Sequence, residues 1–459
     1  MRRLVILAAL MVVSAAPARA ATSSNVTPVA HLADLPTAIS ANFIGDTMFV
    51  STVSGVYAYD VADPTQPKRL GALPMYIYEN EDVDVDPVRK RLFISRDPRG
   101  FTSPAVPGDT FPYGAVHIID VADPANMRQL NVFTLPAGHT TTCVNHCDTI
   151  WTAGPYANAQ TNPGLVGRPI YATDVRDPAN PAPCPKPIDI DHDDGKSGYV
   201  HDVQVDARGI AWVSGQGGVR GYWTRGRHRN PVTHVVETAT GCDPVPYAGA
   251  GTPAEATPSR FMHNAWRDYK PMTRKRARRL RKRGKVPRND VLLGTEENVV
   301  TDCPTAGRFA TYDLRGTKHG QGFGPATSPT GRLKPLDTWT PEQEEGSTGC
   351  ASSHYFASRG DGLTVNAFYT QGVRFLDTSD PRHIRQVGYF VNPDSDTWAA
   401  YWHDGYVFVT DFQRGVDVLR FAGSARRARR VTAPSVHSTA PRLTFDRGVY
   451  GGLCPLLTS

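Results

Sequence analysis

Short alternating segments dominate the chain. Residues 198–206, GYVHDVQVD, set Val200, Val203 and Val205 against polar neighbours, the period-two pattern of a half-buried strand. Sustained apolar spacing at i, i+3, i+4 and i+7 is almost absent, and turn residues recur roughly every ten positions. With 41 glycines and 38 prolines in 459 residues, this pattern predicts an all-β protein.

The strands repeat. One phrase recurs as GVYAYDVADP from Gly55, AVHIIDVADP from Ala115, PIYATDVRDP from Pro169 and GVRFLDTSDP from Gly372, with weaker copies from Gly218, Arg308 and Gly415. Each is a β-branched or aromatic strand, and the clear copies end in an Asp followed by a turn built on Asp-Pro. A second phrase, strand–turn–strand, precedes each copy, as in HDVQVDARGIAWVSGQGGV from His201 and EDVDVDPVRKRLFISRDPRG from Glu81. Seven units, each with three recognisable strands and room for a fourth, predict a seven-bladed β-propeller with about four antiparallel strands per blade.

The phrases VYAYD, VHIID, IYATD and VRFLD, each leading into Asp-Pro or a near variant, resemble the LVIVD-repeat β-propellers. That resemblance spans roughly residues 29–421 and implies a propeller from a family that is often exported and mostly of unassigned function. A more distant similarity joins these propellers to the selenium-binding proteins, some of which are copper-dependent methanethiol oxidases that use histidines near the propeller axis. Their metal motifs have no residue-by-residue match in this chain.

Propeller geometry turns the repeat into a spatial expectation, because the heads of the seven inner strands meet at one mouth of the channel. Aligned heads are Ala38, Glu81, Thr140 beside His139, His201, His263, His354 and Thr397. His139 stands one place off and needs a bulge to point inward. Ends of the second strands are expected to add Arg96, Glu296, Glu297, Gln371, Asp411 and Gln413 to this rim. With only 14 histidines in the chain, four at equivalent positions argue for a purpose. Three roles stay open: capping of wet strand ends, binding of a small polar ligand, and a metal site. For a metal, imidazole and carboxylate suit copper, zinc or iron, and three or four of these residues can share one ion, with His201, His263, His354 and Glu81 as the expected set.

Charge and chemistry elsewhere refine this picture. The net charge of +6 is misleading, because residues 267–290 hold twelve Lys or Arg against two acids. Outside that run the chain has 38 basic and 42 acidic residues, a mildly acidic body with one basic appendage. The run TRKRARRLRKRGK, residues 273–285, is expected as a solvated insertion in the fourth unit, on the face opposite the histidines. It is a candidate contact for anionic surface polymers; specific nucleic-acid binding is not expected. RRARR, residues 426–430, is a second basic cluster in a C-terminal tail that starts at residue 424. Residues 189–195, DIDHDDG, lack the spacing and distal Glu of a calcium loop, and His403-Asp404 reads as turn chemistry. No nucleophile motif, phosphate loop or dinucleotide fingerprint is present.

Residues 1–20 read as an export signal: Arg2 and Arg3, an apolar stretch over residues 4–13, and Ala18-Arg19-Ala20 as a small-residue cleavage pattern. A secreted or envelope-located monomer is therefore expected, with the propeller over residues 21–423. Export makes disulfides plausible among the seven cysteines, and Cys143 and Cys147, flanking a turn, form the expected pair. The two functions that follow are a secreted binding scaffold, whose axial rim takes a small ligand, a metal or a protein partner, and a metal-dependent oxidoreductase acting on a small substrate at the axis.

Overall fold

The computed structural model of the chain describes residues 20–98, 114–154, 164–165, 167–190, 198–216, 218–231, 233–247, 260–298, 307–314, 335–341 and 352–434. Among the described residues seven antiparallel blade sheets follow one another from the central axis to the rim, and Gly226–Arg229 pairs with Val236–Ala239 as a separate hairpin. The first blade is Ala38–Ile44, Thr47–Thr52, Gly55–Asp60 and Lys68–Pro74. The inner strands of the next five blades are Asp84–Asp86, Thr140–Val144, Val200–Val205, Arg260–Trp266 and Phe356–Ser358. The seventh begins with Thr397–His403 and continues through Tyr406–Asp411 and Gly415–Phe421. Its outermost strand is Val26–Leu32, from the start of the chain, which pairs with Gly415–Phe421 from Val26↔Phe421 to Leu32↔Val416 and so closes the ring.

The recurring Asp phrase has a local physical meaning. In four blades the Asp that ends the third strand accepts the amide two residues on: Asp60 from Ala62 at 3.0 Å, Asp120 from Ala122 at 3.0 Å, Asp174 from Arg176 at 3.0 Å and Asp377 from Ser379 at 2.9 Å. Three residues later the Asp of Asp-Pro repeats the move on Thr65, Ala125, Ala179 and Arg382. Two successive side-chain turns reverse the chain into the fourth strand. The core lies between blades, where apolar faces interdigitate; Phe49, Val56, Leu92 and Ile119, for example, join the first two blades.

The basic run forms a helix, Arg274–Lys282, capped by Thr273, whose hydroxyl accepts the Arg276 amide at 3.2 Å. It sits between Arg260–Trp266 and Val291–Asn298, at the far end of the inner strand from His263, and belongs to the fifth blade rather than the fourth. His263 lies on the fifth of the seven inner strands, which places the run one unit later than expected. Cys143–Cys147 is a disulfide, and Cys184–Cys242 is a second one that spacing did not reveal. Residues 1–19, 191–197 and 435–459 and Cys303, Cys350 and Cys454 lie outside the described residues. No described helix is long and apolar enough to cross a membrane.

Candidate metal centre

The inner strands do not run straight into the axis. Their pairing slips by one residue between Ala38 and Ser40, Val200 and Val203, Met262 and Ala265, and Thr397 and Ala399. Such a β-bulge re-aims the side chains at the slip, and in the fourth and fifth blades the slipped segments contain His201 and His263. In the third blade the amides of Gly138 and His139 both donate to the carbonyl of Ala153, at 3.3 and 3.0 Å. Two consecutive donors on one acceptor form the bulge that His139 requires to face inward.

Glu81 and the four histidines meet at the axis with their side chains fully buried. Glu81 Oε2 lies 3.4 Å from His139 Nε2, 3.5 Å from His201 Nε2 and 3.0 Å from His263 Nε2. Its other oxygen, Oε1, lies 3.5 Å from His354 Nε2. His139 Nε2 and His201 Nε2 are 3.0 Å apart. The rings step around the axis, with centroid separations of 4.6 Å from His139 to His201, 4.2 Å to His263 and 3.9 Å to His354. Tyr355 and Trp398 pack edge-on against this stack.

Outer partners fix two tautomers. His139 Nδ1 is 2.8 Å from Asp97 Oδ2, and His354 Nδ1 is 2.5 Å from the carbonyl of Trp398. Both partners accept, so each Nδ1 carries the proton and each neutral ring turns a bare Nε2 lone pair toward Glu81. Glu81 Oε1 and His354 Nε2 make no hydrogen bond although both are buried. The His139 and His354 lone pairs therefore face the Glu81 carboxylate with no proton of their own to offer, while His263 Nε2 stands within hydrogen-bond distance of Glu81 Oε2 at 3.0 Å. The facing lone pairs repel unless a cation sits among the donors. An ion held at about 2.1 Å from each donor sets neighbouring donors roughly 3.0 to 3.4 Å apart, which matches the spacing here. The donor set thus fits a metal ion, and carboxylate- or carbonyl-bonded Nδ1–H groups are the usual supports of metal-bound imidazoles.

The titration shifts divide the donors: His201 and His263 are kept neutral, whereas at His354 the carboxylates favour a proton that an ion has to displace. Burial and then the His354 imidazole hold His263 down to about 3, and burial and then His263 hold His201 well below the ordinary imidazole value. Against burial, the imidazoles of His139, His354 and His201 keep Glu81 well below the carboxylate range. His354 moves up, because Glu81 and Glu297 outweigh its burial.

The other rim residues divide. Glu297 joins the centre: its Oε2 is 3.9 Å from His263 Nε2, Tyr369 donates its hydroxyl to Oε1 at 2.5 Å, and burial pushes its carboxyl up to about 7. Glu296 does not, since the next residue of a strand points the other way, and it is held by Arg308 at 2.7 and 2.9 Å. Gln371 is buried in the turn after the second strand of its blade, 3.4 Å from Arg374. Asp411 accepts the amides of Asp396, Gln413 and Arg414 and shapes a turn. Glu79 and Asp97, both beside His139, are site residues that the alignment of strand heads misses. Asp97 follows Arg96 at a second-strand end, and that adjacency is its one signal in the chain.

One layer below, Asp202 accepts from Tyr355 at 3.2 Å and from Gln204 at 3.3 and 3.2 Å. Burial pushes Asp202 up to about 7, and burial with the Asp202 and Asp84 charges raises Asp82 well above the usual value. The exposed group Asp46, His403 and Asp404 lies at the opposite ends of the strands, where His403 stacks on Phe43 at 4.1 Å and Asp404 takes a left-handed turn with φ +44°.

No family model matches the chain, and no curated protein matches it. Among solved structures, a periplasmic gluconolactonase of Pseudomonas aeruginosa, PpgL, aligns with a TM-score of 0.50 at 13% identity, over 88% of this chain and 97% of that one. The WD40 propeller domain of Doa1 aligns at 0.47 with 8% identity, over 86% and 97%. BamB from Moraxella catarrhalis aligns at 0.43 with 11% identity, over 86% and 98%. Likeness at such identities concerns architecture alone, and by its own seven blade sheets the chain is a seven-bladed β-propeller.

Proposed function

We propose that this chain is an exported metal-binding propeller whose axial mouth holds a transition-metal ion on His139, His201, His263, His354 and Glu81. The observation that carries this reading is the convergence of four imidazoles on the Glu81 carboxylate in a fully buried site. All-nitrogen-and-oxygen donors suit copper, zinc or iron. When bound, such an ion supplies Lewis acidity or a redox couple at the axis. The chain's own residues do the rest: Asp97 and the Trp398 carbonyl orient two imidazoles, while Tyr355, Tyr369 and Trp398 exclude water.

Export rests on the leader-like residues 1–20 and is supported by two disulfides, which persist in oxidising compartments. Kinship with the LVIVD-repeat propellers rests on the four strand phrases that end in Asp. A second reading makes the centre catalytic, as a metal-dependent oxidoreductase for a small substrate. The observation favouring it is the Glu297–Tyr369 pair, a carboxyl and a phenol hydrogen-bonded beside His263.

The test is elemental analysis of the full chain, purified after export and after incubation with copper, zinc or iron(II). About one tightly held ion per chain is expected, lost in a His263→Ala, His354→Ala double variant. A folded wild-type protein that retains none of the three metals overturns the proposal, whatever the variant does.

A further inference from the structure

Two basic segments far apart in the chain come together on the face opposite the histidines. In the helix Arg274–Lys282 seven of nine residues are Lys or Arg and none is buried. Only Ala277 and Leu280 are half-buried beneath it. The insertion is nevertheless fastened down. Arg281 pairs with Asp290, Val286 and Val291 enter the core shared with the sixth blade, Arg382 donates to the Gly284 carbonyl at 3.4 Å, and Arg288 donates to the Gly360 carbonyl.

The second segment follows the last strand. Ala425 and Ala428 pack into the core between the sixth and seventh blades, and Val431 exchanges hydrogen bonds with Gln386 at 3.1 and 3.0 Å. That docking turns Arg426, Arg427, Arg429 and Arg430 outward. The inner turn of the sixth blade links the two segments: Gly360 receives Arg288 from the helix side, and Arg359 donates to Gly423 at 3.2 Å on the tail side. Three of the acids on this face, Asp290, Asp361 and Asp377, are engaged by Arg281, Arg359 and Arg385. Among the described residues no acid pairs with the other six helix cations or with Arg426, Arg427 and Arg429.

Like charges at helical i,i+4 spacing, Arg274 with Arg278, Lys275 with Arg279 and Arg278 with Lys282, destabilise a helix. A fold that holds such a row rigid leaves a repulsion that a bound polyanion would relieve. The chemistry of the row narrows the partner. Guanidinium forks match phosphate oxygens two at a time. The helix offers no apolar stripe to enter a lipid layer and no aromatic platform for bases. We propose that the face formed by the basic helix and the Arg426–Arg430 segment docks the propeller on a linear phosphate-rich polyanion, leaving the axial mouth turned away from it.

The probe is long-chain inorganic polyphosphate, titrated against the full chain across a salt series. A log–log salt slope of roughly −4 or steeper is expected, about −0.7 for each contacted phosphate on a single strand. Arg274→Gln, Arg278→Gln, Lys282→Gln should weaken binding at least about tenfold, and Arg426→Gln, Arg427→Gln, Arg429→Gln by several-fold, each with a shallower slope. Melting temperature and metal content should stay at wild-type values in both, since every substituted side chain is exposed. A tail variant that binds as the wild type overturns the single-face reading. Tighter binding to vesicles of anionic phospholipid than to polyphosphate overturns the polymer assignment in favour of a membrane surface. The proposal is independent of the metal reading, because metal-stripped protein should bind polyphosphate equally well.

Discussion

Asp97 shows how much of the centre is set by a residue outside the donor set. Its carboxylate holds the Nδ1 proton of His139 at 2.8 Å, so the ring presents Nε2 to Glu81 and His201 in one tautomer. Asp97→Asn keeps the size of the side chain and removes the charge. Metal affinity should fall about 10- to 100-fold while the fold persists, measured by competition with a chromophoric chelator. Affinity unchanged in that variant would mean that His139 is not a ligand. The histidines themselves were legible in the chain, because four of them recur at the heads of aligned strands. What stayed hidden is local geometry. A bulge at Gly138–His139 leaves no mark in a period-two pattern, and neither does the difference between Glu296, turned to Arg308, and Glu297, turned to the axis.

At the scale of elements, the blades were readable because four of them repeat one turn chemistry, Asp then Asp-Pro, where the third strand ends, and the strand–turn–strand phrase marks the others. Ring closure was not readable. Val26–Leu32 finds Gly415–Phe421 across nearly the whole chain, and pairing at that separation has no local signature. The closing strand also carries core: Val26 packs with Val387 and Phe421, and Leu32 with Val416 and Phe408. Without it, the last blade exposes an unpaired edge and the ring loses its clasp. Removing residues 21–32 from the exported protein should therefore lower the melting temperature by more than about 10 °C or abolish cooperative melting, followed by circular dichroism. A truncated chain that melts with the wild type would show that the clasp contributes nothing.

For the whole molecule, the axis gathers acids that water would otherwise solvate, and the fold answers by keeping several of them protonated. Asp396, outside the proposed donor set, is one case. Burial and the neighbouring Asp411 charge push it up to about 7, with His354 acting the other way, while burial and the Asp417 charge lift Asp411 to about 6. A carboxyl whose value is raised on folding binds its proton more tightly in the native state. Below pH 4 both states are protonated and the group is neutral toward stability. From about pH 4 to 7 the unfolded chain ionises and the folded one resists, so stability falls as pH rises and then levels off. Asp396→Asn removes that term and replaces a like-charge neighbour of Asp411 with an amide. The variant should melt about 2–4 °C above the wild type at pH 8 and together with it near pH 4, read from paired calorimetric scans. A variant less stable at pH 8 would mean that a cation holds the Asp396 carboxylate in the native protein, which would move the boundary of the proposed metal centre outward to the seventh blade.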